Sequence, residues 1–247
     1  MKEKLIKFKL YSEEYLNREA INHNFVLKVM YGCSYPFSYF FYKLNLSPNL
    51  LTWLSIISCA LACYGLLVKS VEIFILFWLL SILFDFCDGT VARMTKNERK
   101  SLLRFDHYSD ICKFSSVILF IAIYYDNTIY WILSFTCSFM YLFYTVLDHD
   151  VVLQVFNNFD KNKNEKNEKP KLRDNFKFIK FITNNDSLFN LVKLLMPFFI
   201  INGHTLLIFL FMPLSINFAY FALVYLIMLT FIGINLRLGV LSSSLKK

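Results

Sequence analysis

The chain has 247 residues, of which 57% are hydrophobic and 19% aromatic, and it carries a formal net charge of +8. Its average hydropathy is positive, which excludes an ordinary water-soluble domain and points to a protein embedded in lipid. The basic excess then reads as membrane topology and attraction to anionic headgroups, and nucleic acid is not an expected partner.

In chain order, the opening Met1-Lys2-Glu3-Lys4 runs into mixed charged and aromatic sequence without a short apolar core and cleavage site, so no secretory signal is expected. Residues 21–46 are apolar and aromatic but interrupted by Gly32 and Pro36, with Lys28 and Lys43 near the ends. This pattern predicts an interfacial amphipathic helix within a cytoplasmic N-terminal segment, residues 1–48, and not a membrane span. Six apolar runs of about 20 residues, the length that crosses roughly 30 Å of hydrocarbon, follow at 50–68, 71–92, 107–125, 128–147, 188–211 and 214–236. The fifth is the weakest, because it holds Pro197 and the polar Asn202-Gly203-His204. Between the fourth and fifth, residues 148–187 are polar, with KNKNEKNEK at 161–169, and are expected to form a solvated loop. The expected fold is an all-α polytopic membrane protein. Six transmembrane helices make one catalytic domain over 49–240, and a short cytoplasmic tail follows at 241–247.

Orientation follows from the basic residues, which resist translocation. They cluster before the first span (Lys2, Lys4, Lys7, Lys9, Arg18, Lys28, Lys43), after the second (Lys96, Arg99, Lys100, Arg104) and after the fourth (Lys161 to Lys180). The connections near Lys69, Asp126 and Pro213 hold one basic residue between them. Both termini are therefore expected inside. The Phe, Ile, Asn and Lys bias suggests an AT-rich genome, and hence a bacterial cytoplasmic membrane. The cysteines, Cys33, Cys59, Cys63, Cys87, Cys112 and Cys137, show no zinc or disulfide spacing. Cys59 and Cys63, four apart, read as small residues for helix packing.

The exception to this apolar pattern is Asp85-Phe86-Cys87-Asp88-Gly89-Thr90-Val91-Ala92-Arg93, followed by Asp106 and Asp110. Ionisable groups in a span are expensive unless they face a cavity, a partner or a metal. Asp85 and Asp88 share one helix face at i and i+3, as do Asp106 and Asp110 at i and i+4. Two such pairs make an oxygen-rich cage suited to two Mg2+ or Mn2+ ions, which would clamp a diphosphate. Gly89 allows close approach, and Arg93, one turn on, offers a bidentate donor to phosphate.

The pattern D-x-x-D-G-x-x-A-R, a short basic loop and D-x-x-x-D resembles the signature of the CDP-alcohol phosphotransferases. Ser47-Pro48-Asn49-Leu50-Leu51-Thr52 resembles the same family's amino-terminal element. The resemblance implies a six-helix membrane enzyme, commonly a homodimer, in which a hydroxyl acceptor displaces CMP from a CDP-linked donor. It implies Asp85, Asp88, Asp106 and Asp110 as metal ligands and Asp110 also as the base that takes the acceptor's proton. Asp85, Gly89, Ala92, Arg93, Asn49 and Thr52 would line the nucleotide site. One position departs from the pattern: Leu102 stands where the family has a glycine, four residues before Asp106. Two further readings stand beside the enzyme: an ion-handling transporter, disfavoured because the carboxylates lie at one membrane face beside a phosphate-binding arginine, and an inactive relative, for which Leu102 is the evidence.

Lys113 falls on the carboxylate face, either as plain charge compensation or as a contact to an acceptor phosphate. Arg237 near the end of the sixth span either snorkels to the headgroups or lines the acceptor pocket. His107 reads as an interfacial polar residue, Asp148-His149-Asp150 as a solvated helix terminus, and Cys87 receives no role.

Overall fold

A computed structural model describes the backbone over residues 25–95, 100–164 and 203–245. Seven α-helices follow one another there: α1 (Phe25–Lys43), α2 (Pro48–Leu67), α3 (Val71–Thr95), α4 (Lys100–Tyr125), α5 (Thr128–Asn164), α6 (Gly203–Phe211) and α7 (Ile216–Leu245). A 3-10 turn at Met212–Leu214 joins the last two. No strand is present among the described residues. Four segments are long and apolar enough to cross a membrane: Pro48–Leu67, Tyr108–Tyr125, Thr128–Leu147 and Ile216–Gly239. α3, which carries Glu72, Asp85, Asp88 and Arg93, falls outside those four. Most of the fifth expected run, residues 188–202, lies outside the described residues, and its described remainder is the short helix α6.

The connections between α1 and α4 show why these helices end where they do. Asn45 adopts φ 54° after α1, and Leu46 N donates back to Phe41 O at 3.1 Å, closing that helix. Ser47 then caps α2 by accepting from Leu50 N, with Pro48 in the first turn, where its missing N–H is no loss. Between α2 and α3, Lys69 takes φ 59° and Ser70 N bonds Gly65 O at 2.9 Å. Gly65 is required there, since a Cβ would lie 2.6 Å from Phe74 N. Asp126 (φ 47°) turns the chain between α4 and α5, and Asn127 caps α5 through Ile129 N. Such short links force antiparallel neighbours.

α3 packs against α1 and α2, α4 against α2 and α5, and α5 against α7. The core is aromatic. Phe74, Trp78, Phe209, Leu66, Ile118 and Ile121 are fully buried, and Phe114 stacks on Tyr141 with ring centroids 3.7 Å apart. Three ring donors in this apolar zone are paired with backbone carbonyls, which offsets the cost of burying them: Trp78 Nε1 donates to Leu206 O at 2.9 Å, Tyr125 Oη to Met212 O at 2.6 Å, and Tyr130 Oη to Ile216 O at 2.6 Å. Phe135, Phe139, Phe221 and Leu236 face outward, as residues bathed in lipid can.

Two expectations need correction. Residues 148–164, expected as loop, continue α5, because no proline or glycine interrupts the chain between Thr128 and Pro170 and polarity alone does not stop a helix. Residues 241–245, expected as tail, are helical within α7. Residues 25–43 form one helix, as expected for that stretch, with Pro36 inside it.

Candidate active site

Three helices each present two side chains, three residues apart, toward one point. α2 supplies Thr52 and Ser55, α3 supplies Asp85 and Asp88, and α4 supplies Asp110 and Lys113. The i, i+3 spacing puts each pair on one face. Thr52 Oγ1 donates to Asp88 Oδ2 at 2.6 Å, and Asp88 is buried. Lys113 Nζ donates to Asp85, to Asp110 at 2.9 Å and to Ser55 Oγ at 3.1 Å. Ser55 Oγ in turn donates to Ser81 O at 2.9 Å, and Ser81 Oγ returns a bond to Ser55 O at 2.9 Å. α2 and α3 are thereby latched beside the carboxylates.

Exposure grades the acids. The Asp110 side chain is 45% exposed and that of Asp85 23%, whereas Asp88 is almost wholly covered. Asp110 is therefore the carboxylate that an incoming molecule reaches most easily. Asp106 sits near the start of α4, and its side chain, like those of His107 and Leu102, lies outside those described.

The glycine of the motif has a local reason. A Cβ on Gly89 would lie 3.3 Å from both terminal nitrogens of Arg93, so the guanidinium folds back over the space that glycine leaves. The Arg93 guanidinium carbon also lies 6.0 Å from the Tyr31 ring centroid on α1. Ala92 is half-buried on the same turn, and Asn49 is exposed one turn before Thr52. Cys87 turns away from the acids, its thiol meeting Ser34 O of α1 at 3.6 Å.

A cavity of about 170 Å³ opens directly beside this cluster. Asp85, Asp110 and Lys113 form its charged end, Ser81, Thr205 and Tyr141 its polar sides, and Trp78, Ile82, Phe114 and Leu206 the rest. Arg237 does not line it. That arginine stacks on Tyr144, with its guanidinium carbon 4.0 Å from the ring centroid, and donates from Nη2 to Tyr144 Oη at 2.7 Å, clasping α7 to α5. Lys113, by contrast, does compensate the aspartates. The residues that the sequence reading passed over are Ser55, Ser81, Tyr141 and Thr205. Ser55 was accessible to it, since it lies one turn beyond Thr52.

Among the described residues no three His, Cys, Asp or Glu side chains approach closely enough to hold one metal ion. Yet Asp85 and Asp110, from different helices, share a single ammonium. Their oxygens thus converge on a cation-sized position, with Asp88 one helical turn from Asp85. The donor set, hard carboxylate oxygen, suits a divalent ion of the Mg2+ class.

A family model of the CDP-alcohol phosphatidyltransferases matches residues 45–172, more than half of the chain and the whole of this cluster. The chain belongs to the CDP-alcohol phosphatidyltransferase family. No curated protein and no solved structure matches it. Membership of this transferase family and four apolar helices together make the chain an integral membrane protein.

Proposed function

We propose that this family member transfers a phosphatidyl or other phospho-alcohol group from a CDP-linked donor to a hydroxyl acceptor, releasing CMP, in phospholipid or polar-headgroup synthesis. The observation that carries the reading is the convergence of Asp85 and Asp110, from two helices, on one cation, with Asp88 one turn beyond Asp85 and Gly89 and Arg93 following on the same helix. The basic residues at 96–104 support a cytoplasmic position for this end of the bundle, where a nucleotide arrives from solution. In this reading there are six spans, α3 and the segment ending in α6 being the two that supplement the four apolar ones, and α1 lies in the interface. Membrane lipids surround a homodimer.

Asp85, Asp88, Asp106 and Asp110 would hold up to two Mg2+ or Mn2+ ions. When bound, such ions neutralise the charge on the diphosphate oxygens and on the departing phosphate. Thr52 fixes the Asp88 carboxylate by its hydrogen bond. Arg93, with Asn49, Gly89 and Ala92, would cradle the cytidine and diphosphate, a guanidinium suiting phosphate because it offers paired donors.

The acceptor enters by the cavity whose wall includes Asp110. Its hydroxyl proton passes to the Asp110 carboxylate as the oxygen bonds to the phosphorus that carries the transferred alcohol. The bond from that phosphorus to the bridging oxygen breaks, and CMP leaves with the electron pair. Asp110 suits the task because it is the most exposed of the three described aspartates.

The test is to incubate the purified protein with labelled CDP-diacylglycerol, or a CDP-linked small alcohol, and a panel of hydroxyl acceptors, with magnesium or with EDTA, and to measure CMP. CMP release that requires both an acceptor and magnesium is expected. No CMP from either donor with any acceptor overturns the proposal.

A further inference from the structure

Among the described residues, the buried charged side chains are Asp88 and Lys113. An ammonium inside an apolar helix bundle is costly unless each of its protons is met, and Lys113 meets all of them. Its three donors go to three acceptors on three helices: Asp85 on α3, Asp110 on α4 and Ser55 on α2. No N–H of Lys113 is left for the phosphate of an acceptor, which removes one of the two roles its position in the sequence allowed. The Ser55 hydroxyl is itself fixed by donating to Ser81 O, so the lysine is held from below as well as between the acids. The distance to Asp110, 2.9 Å, is that of an ammonium contact and longer than the roughly 2.1 Å of a magnesium–oxygen bond.

We propose that Lys113 is a built-in cation that occupies the position between Asp85 and Asp110 where one of two divalent ions would otherwise sit, so that this chain binds a single divalent ion. The inference rests on the transferase reading and changes its metal count from two to one. Lys113 supplies one charge in place of two but supplies it without dissociating, and it keeps α3 and α4 in register before any ligand arrives. The single ion is left to the carboxylates, Asp88 among them. Lys113 is thus a positioning residue that acts through Asp85 and Asp110.

Manganese bound per chain decides the matter, counted at saturation from the loss of the free Mn2+ electron paramagnetic resonance signal, on the purified full-length protein without nucleotide. The wild type is expected to bind one ion, lost in Asp88→Asn. Lys113→Met is expected to bind two, and Lys113→Arg one. Two ions on the wild type overturn the proposal and leave the transferase reading standing. A single ion on a Lys113→Met protein that keeps its helical circular dichroism also overturns it. No ion on any of the chains overturns the metal reading, and this proposal with it. Lys113→Gln is the second uncharged variant, and if neither uncharged chain folds, the wild-type count alone decides.

Discussion

In the first half of α3, Phe74, Trp78 and Ile82 are buried against rings and aliphatic chains from α4 and α6, and the one polar atom among them, Trp78 Nε1, is paired to a backbone carbonyl. In the second half of the same helix, Asp85 and Asp88 project into a network of hydroxyls and one ammonium, and Arg93 folds back over Gly89. The first half is held by area removed from water or lipid and by shape, and it requires nothing from outside. The second half gathers like charges that repel one another unless cations intervene. Stability and ligand response are therefore separable along a single helix, and substitutions in the two halves should report on different measurements.

The largest contrast is expected within the charged half. Asp110→Asn should lower turnover by about 100- to 10,000-fold, the usual worth of a positioned proton acceptor, while CDP binding is largely kept. Asp88→Asn should lose both. Near-normal turnover in the two variants, measured as CMP released, would contradict the roles given to these acids. Next in size, Thr52→Val removes the hydrogen bond that orients Asp88. A loss of about 10- to 100-fold in divalent-ion affinity is expected, the range for residues that orient a ligating group, with the melting temperature changed much less; the reverse pattern would make Thr52 a packing residue only.

The smallest effect on ligand binding is expected from the apolar half. Gly65→Ala would set a Cβ 2.6 Å from Phe74 N, a backbone atom that cannot rotate aside. Overpacking of this kind costs about 1–3 kcal/mol, read as a lowered unfolding transition in detergent. CDP affinity should stay within about twofold, since the site is several turns away; a larger loss would mean that the two halves of α3 are coupled.

The carboxylate cluster was legible in the sequence because charge is so out of place in apolar sequence that Asp85, Asp88 and Asp110 announce themselves, and helical spacing alone puts them on faces. Helix existence was legible from the length of the apolar runs. The partner of each acid was not. Whether Lys113 meets a phosphate or an aspartate depends on how α2, α3 and α4 rotate about their axes, and the turn at Lys69, a residue with no preference for positive φ, gives no local sign of that rotation. The end of α5 was misjudged because solvation was taken for irregularity, although a lysine- and asparagine-rich stretch without glycine or proline extends a helix at little cost. Arg237 was read by its position near a membrane end, and its stacking on Tyr144 needs the packing of α7 on α5, which no local pattern encodes.

The most direct test of the account is calorimetric binding of CDP to the purified wild-type chain, with magnesium and then with EDTA. If acids from neighbouring helices grip a diphosphate through a divalent ion, removing the ion should weaken CDP by at least tenfold. Equal affinity in magnesium and in EDTA would show that these carboxylates do not hold the nucleotide through a cation, and the account would fail at its centre.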